Sequence, residues 1–595
     1  MEKRIKNIKK LGLLGLLGLV GMMQTSCTDF LQIEPQNEII LEKFWTDKDD
    51  VHSIITGCYS ALQSDANVKR MMVWGEFRSD NIYVGENINS DGDLEKVLVE
   101  NIDAKNDYTN WDGFYDVINR CNTVIKYAPG VAEKDPAYTQ SELKADIAEV
   151  TALRSLCYFY LIRTFRDVPY SSEAYIDDSQ KMDLPATKFE DVLDSLIYSL
   201  EAVRGDAVRR YPETTPLYQT GRITRDAISA MLCEMYLWKQ DYDNCIKYAD
   251  LVIASKKEIA EENRKLSSNY SSSGGAELYE LTNGYPLIPS QITGKNFGNA
   301  YETIFGSDDN ARRNAQEIIF QLVFNDNPQG SGMKANGAVN SFYGNGTSKI
   351  GLVAPSEFLL EERDVEVSQR KVFSKSNKKM DARLYENFNT DDKYIHKYTT
   401  DDITIEAQSA TPRPRYSSRY AQGQNGSNWI IYRLSDIMLL KAEALTQKLR
   451  EGAEEDDISY NKSIIDEAFT LINAVNKRSV CEPLAQLVDT LQRNDYNTKE
   501  LVTTLLYQER QRELMFEGKR WYDLVRISRR TGKTDDLSTA ALRKAQTSSD
   551  LIGNKLSKMD AIYWPYNYEE VKVNKNLVQN PAFDSGENKS YEKNY

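Results

Sequence analysis

Histidine is nearly absent from this 595-residue chain: His52 and His396 are the only two, and they stand far apart. A His-based metal site or a Ser-His-Asp triad therefore has almost nothing to build on. Of the seven cysteines no two form a CxxC pair, which removes zinc ribbons and dithiol redox centres. There is no GxSxG and no HExxH. Gly532-Lys533-Thr534 lacks the glycine that a phosphate loop needs five residues earlier, where Ile527 stands. Positive charge is scarce relative to negative, with 74 Lys and Arg against 89 Asp and Glu for a net charge of −15. Nucleic acid is thus not an expected partner, because binding phosphates needs clustered cations. Nothing here calls for a cofactor or a metal.

Long apolar runs are also missing, with one short exception. Lys3, Arg4, Lys6, Lys9 and Lys10 precede the stretch Leu11 to Met23, the order of a signal peptide. As a helix that stretch rises only about 20 Å, short of the ~30 Å hydrocarbon core. Gln24-Thr25-Ser26-Cys27 resembles a lipobox, with Gln24 where an aliphatic residue is usual. Residues 1–26 are expected to be removed and Cys27 to be lipidated. That segment carries five positive charges and one negative, so its loss takes the chain from −15 to about −19. Such a surface does not adsorb to anionic lipid, and the expected membrane link is the lipid anchor itself. The other cysteines, Cys58, Cys121, Cys157, Cys233, Cys245 and Cys481, are scattered, several on apolar helical stretches, and read as buried thiols.

What the chain has is helical periodicity. Thr224 to Ser255 reads as two amphipathic helices broken at Lys239-Gln240-Asp241, spaced like one tetratricopeptide unit. Further helices are predicted at Val51 to Leu62, Trp111 to Tyr127 and Ile147 to Phe165, the last with one apolar face. From Lys256 to Gly351 the texture turns to Gly/Ser/Asn-rich loops around one β-rich segment, Glu317 to Phe324. Helix is predicted again over Trp429 to Gln447, Ile464 to Arg478 and Thr498 to Ile527. The expected fold is mainly α: tetratricopeptide-like helical pairs with a loop-rich, irregular second half. The expected division is 27–255 and 256–595, packed as one body.

Several motifs then line up in one order. Glu149, Arg154, Tyr158 and Phe159 lead to Phe165-Arg166-Asp167-Val168-Pro169-Tyr170. Gly221-Arg222 opens the tetratricopeptide-like unit, and Tyr432-Arg433-Leu434-Ser435-Asp436 precedes Lys441-Ala442-Glu443-Ala444. Glu509-Arg510, Arg512-Glu513-Leu514, Phe516-Glu517-Gly518 and Arg520-Trp521-Tyr522-Asp523-Leu524 follow, with Asn574 to Pro581 near the end. Together they resemble the SusD/RagB family along essentially the whole mature chain. The resemblance implies a SusD-like superhelix of helices and a non-enzymatic, outer-membrane lipoprotein facing the cell exterior. It implies binding of a glycan or other oligomeric nutrient, with a SusC-like TonB-dependent transporter as partner.

Two rival readings remain. Glu509, Glu513 and Glu517 lie four residues apart on one helical face and offer an enzyme its one foothold, a glycosidase-like carboxylate set. Glu509 with Arg512, Glu517 with Arg520 and Asp523 with Arg526 stand at i, i+3, which makes helix ion pairs the stronger reading for this stretch. A purely structural docking role is the other alternative. Tyrosine, 36 in number, favours ligand binding, since a ring beside polar groups suits a sugar's C–H face and hydroxyls. The candidate contacts are Trp74, Arg78, Asp80, Asn81 and Tyr83, with the loop tyrosines Tyr270, Tyr285, Tyr343 and Tyr416. Tyr158, Phe159, Tyr236 and Tyr522 are expected in the core.

Overall fold

The structure is a computed structural model. It describes residues 44–583 apart from 178, 213, 271–280, 289–295, 298–299, 306–314, 325–333, 345–349, 361–371, 374–380, 390–393, 400–401, 407–412, 418–424, 451–454, 480–490 and 545–548. Cys27 and Cys481 lie outside these residues.

Helix hairpins dominate, and their starts are written in side-chain chemistry. Asp47 caps the Lys48–Leu62 helix in a reciprocal box with Asp50, and Thr139 does the same with Glu142 for Gln140–Phe165. Lys48–Leu62 packs on Asp112–Lys134, which pairs with Gln140–Phe165 across a five-residue link. Thr224 caps Arg225–Trp238, and the chain turns at Gln240, φ 63°, into the Tyr242–Tyr270 helix. The predicted tetratricopeptide-like break at 239–241 stands where expected. The second helix runs on well past 256, so the predicted 255/256 division falls inside an element.

Gln140–Phe165 departs from its predicted single apolar face: from Ala148 to Phe165 every residue is buried. Such a helix carries polar residues only where partners meet them. Glu149 takes Arg222, Arg154 takes Asn122, and Arg163 takes Glu234. Tyr158, Phe159, Tyr236 and Tyr522 are core residues, as expected.

In the second half Leu434–Gln447 packs between Tyr242–Tyr270 and Glu455–Ser479, with Lys499–Leu514 against both of the later two. Two predicted spans need correction. Trp429–Arg433 is a strand, antiparallel to Ile318–Leu322, and the helix begins only at Leu434. A short apolar run does not reveal its type until its partner is known. The predicted helix over 498–527 is two, Lys499–Leu514 and Arg520–Thr531, because Phe516 (φ 69°) and Gly518 (φ 70°) turn the chain between them. Ile82–Val84 pairs with Val353–Pro355 in a second small sheet.

One hydrophobic cluster runs from Trp45 to Leu577 and joins both halves; a second unites the 434–449, 465–475 and 502–506 segments. Cys58, Cys121, Cys157, Cys233 and Cys245 are buried and free. No described helix is long and apolar enough to cross a membrane.

Candidate functional site

The segment from Trp74 to Asn81, expected as a ligand platform, is instead enclosed. Trp74 is fully buried between Phe114 and Phe165, and its Nε1 donates to Tyr108 O at 2.7 Å. Arg78 grips Glu100 with Nε and Nη2, donates to Ala561 and Ile562 carbonyls, and stacks 4.2 Å over Trp521. Asp80 accepts from Arg520 Nε at 3.0 Å and sits 3.5 Å from Arg543. Burial opposes its ionisation, but those arginines outweigh it and hold the carboxyl below its usual range. Asn81 donates to Glu76 at 2.7 Å and accepts from Gln511 at 2.8 Å. These four side chains are saturated from within and have no surface to offer a ligand.

The remaining candidates divide. Tyr343 is core, its hydroxyl donating to Phe516 O at 3.0 Å. Tyr83 and Tyr285 keep partly open rings, Tyr285 with Lys257 Nζ 4.6 Å over it. Tyr270 ends a helix and Tyr416 lies in the Arg413–Ser417 strand, but their side chains lie outside the described ones.

The enclosed segment has a different task. Glu76 accepts the backbone N–H groups of Phe516, Lys519 and Arg520 at 2.9, 3.1 and 3.3 Å. It therefore holds the start of the Arg520–Thr531 helix, where unpaired N–H groups and the helix dipole favour an anion. Gly75 permits this approach, since a Cβ there would lie 1.9 Å from Gly518 O. Asp80 and Asn81 then fix the outward-facing Arg520, Arg543 and Gln511.

Those outward groups line an open groove of about 1010 Å³ between the Lys499–Leu514, Arg520–Thr531 and Asp535–Arg543 helices. Thr503, Tyr507 and Gln511 form one wall at helical spacing; Arg520, Leu524 and Ile527 form the other. Arg530 donates to Glu443 Oε1 at 2.7 Å and to the Tyr507 hydroxyl. Arg543 lies 4.5 Å over Phe358, just beyond the strand that pairs with Tyr83. Burial works against ionised Glu443, yet Arg526 and Arg530 pull it down to about 2. Arg520 and Arg543 share Asp80, while Arg530 shares Glu443 with the buried Arg526. The lining offers fixed donors and acceptors beside apolar patches, without strong net charge. Sequence reasoning missed this site, although the periods 503/507/511 and 520/524/527 were in view.

The three helical carboxylates lie deeper. Glu509 pairs with Arg383 and Arg512, Glu513 with Arg383, Arg433 and Arg478, and Glu517 with Arg433 and Lys397. All are at most 2% exposed. The expected i+3 pairs form at Glu509–Arg512 and Asp523–Arg526, but Arg520 turns to Asp80 and Glu517 finds cations from distant segments. No substrate reaches carboxylates so enclosed.

The scaffold is one of helical hairpins of the tetratricopeptide-like class, carrying an open polar groove. Residues 301–583 match the SusD family. SusD-like protein P38 of Formosa agariphila is 24% identical over 588 residues, covering 94% of this chain and 96% of that protein. A SusD superfamily protein of Bacteroides thetaiotaomicron superposes with a TM-score of 0.56 at 22% identity, over 91% of this chain and 99% of that one. NanU of B. fragilis does so at 0.56 and 17%, over 93% and 100%. Residues 301–583 belong to the SusD family, and the chain as a whole has the SusD fold. This is a family of nutrient- and glycan-binding proteins, outer-membrane lipoproteins in kind.

Proposed function

We propose that this protein is a cell-surface lipoprotein that captures an oligomeric nutrient, a glycan, and delivers it to a SusC-like TonB-dependent transporter. The observation that carries the reading is the SusD fold over nine tenths of the chain, joined to a groove whose charges are compensated in place. A neutral polyol gains from such a lining, because oriented donors meet its hydroxyls while the partly open Tyr507 ring meets its C–H faces. The groove is the proposed contact surface, with Tyr83 near its Arg543 rim; Tyr285 is a separate candidate contact.

The anchor in this reading is acylated Cys27. The test is calorimetric titration of the Cys27→Ala chain with a glycan panel, alongside Tyr507→Ala. Binding that falls tenfold or more in the variant supports the groove. A chain that hydrolyses a glycan, or binds none, overturns the reading. Affinity purification from native membranes checks the partner: recovery of the chain without a transporter refutes delivery.

A further inference from the structure

Away from the groove, three tyrosines and an arginine meet where the Lys48–Leu62 and Gln140–Phe165 helices face the turn before Arg225. Tyr218 is 46% exposed, and its hydroxyl has no partner among the described residues. Its ring packs edge-to-face on that of Tyr211, centroids 5.7 Å apart at an interplanar angle of 84°, which fixes the ring while nearly half of the residue stays exposed. Arg222 lies 5.4 Å from the Tyr218 ring and 5.9 Å from those of Tyr211 and Tyr59. Its Nε and Nη2 donate to Glu149 at 2.8 and 2.7 Å, and Glu149 also accepts from the Tyr59 hydroxyl. The guanidinium is therefore held flat, charge-compensated and a quarter exposed.

The corner is rigid before any ligand arrives. Tyr211 N–H donates to Gln219 Oε1 at 3.1 Å. Gln321 donates to Thr220 Oγ1 at 3.1 Å, tying the turn to the Ile318–Leu322 strand. Gly221 sits so close to Val323 that a Cβ would lie 2.8 Å from its side chain. Ordering costs at this spot are largely met by the fold itself. Nearby, His52 hydrogen-bonds Asp146 at 3.1 Å.

We infer that the Tyr211–Tyr218–Arg222 corner is a second carbohydrate site, taking one residue of a neutral oligosaccharide at some distance from the groove. The open Tyr218 face stacks on the C–H face of a pyranose, the Tyr211 edge bounds it, and Arg222 supplies a hydrogen bond to a ring hydroxyl. Acidic sugars are disfavoured, because Glu149 already compensates Arg222. The site stands whether or not the groove binds.

The test is titration of the Cys27→Ala chain with maltohexaose, cellohexaose, xylohexaose and mannohexaose, with hexagalacturonate as the acidic comparison. At least one neutral hexasaccharide is expected to bind, tenfold or more weaker in Tyr218→Ala and within twofold of native in Tyr218→Phe, which keeps the ring. Two binding events are expected in the parent chain, the one weakened in Tyr507→Ala being the groove's and the one weakened in Tyr218→Ala this corner's. Tyr218 is exposed, so thermal melting of both variants should match the parent. Unchanged affinity in Tyr218→Ala, preference for hexagalacturonate, or no neutral hexasaccharide bound overturns the inference. Loss in Tyr507→Ala alone leaves the groove standing and sinks only this site.

Discussion

Replacing Glu513 with Gln keeps the shape of a fully buried side chain and removes its charge. In the folded protein that carboxylate meets three guanidiniums, those of Arg383, Arg433 and Arg478. Among the described residues the cations around it are Arg383, Arg433, Arg478, Arg512 and Lys397, and the paired acids are Asp381, Glu317, Glu509, Glu513 and Glu517. The substitution takes one negative charge from this set and leaves three buried guanidiniums without a shared carboxylate. Breaking a buried pair from one side costs about 3–5 kcal/mol. Unfolding entropy of about 2.1 cal/mol/K per residue makes that a fall of roughly 2–4 °C in Tm for a chain this long. Urea denaturation at pH 7 measures the free energy directly, with the exposed Glu569→Gln as a silent control.

The pH dependence gives a second readout. Burial raises the cost of ionising Glu513, but Arg478, Arg433 and Arg383 outweigh it and hold the carboxyl well below the model-peptide 4.5. A depressed folded-state pKa gives stability that is complete above 4.5 and lost as pH falls through the folded value. The gap between native and Glu513→Gln should therefore be widest above pH 4.5 and narrow under acid. A loss of less than about 1 kcal/mol at pH 7, or a gap that does not narrow, would refute this account of the network.

Glu386 behaves in the opposite sense: burial raises its carboxyl to about 7 despite Arg478. Its stabilising contribution is complete below 4.5 and lost as pH rises to 7, so Glu386→Gln should be more stable than native at pH 8, by on the order of 3 kcal/mol. Equal urea midpoints at pH 8 would contradict this. Gly75→Ala forces a Cβ against Gly518 O at 1.9 Å and should cost about 3 kcal/mol, read as a lowered urea midpoint; an unchanged midpoint would mean the two segments part easily. Cys27→Ala should move the protein from membrane to soluble fractions with its circular dichroism intact, and continued retention would exclude the lipid as anchor.

Local order was the readable part of this sequence. The hairpin at 225–270, with its Thr224 cap and its break at 239–241, depends on residues within a few turns of one another. The strand at Trp429–Arg433 was not readable, because its partner lies more than a hundred residues away. The turn at 515–519 escaped for the same reason: the carboxylate that collects its N–H groups is Glu76. Trp74 to Asn81 looked like an exposed loop because aromatic and polar residues mix there. Its burial is decided by Gln511, Arg520 and Trp521, which no local window contains. The groove walls carried a helical period, but that period reads equally well as core or as solvent face until the opposing helix is placed.

The grip of Glu76 on the later turn has a temporal side. Its N–H partner at Phe516 is 440 residues further along the chain, a stretch that takes roughly 20–90 s to synthesise at 5–20 residues per second. During that interval the carboxylate and the Gly75 notch have nothing to close on, and an unpaired charge resists burial. The amino-terminal hairpins can assemble, but the seam around Glu76 must stay hydrated until Phe516 to Arg520 arrive. Closing that seam is thus a late step of maturation, and a chain truncated before residue 516 retains an open wound through its own core.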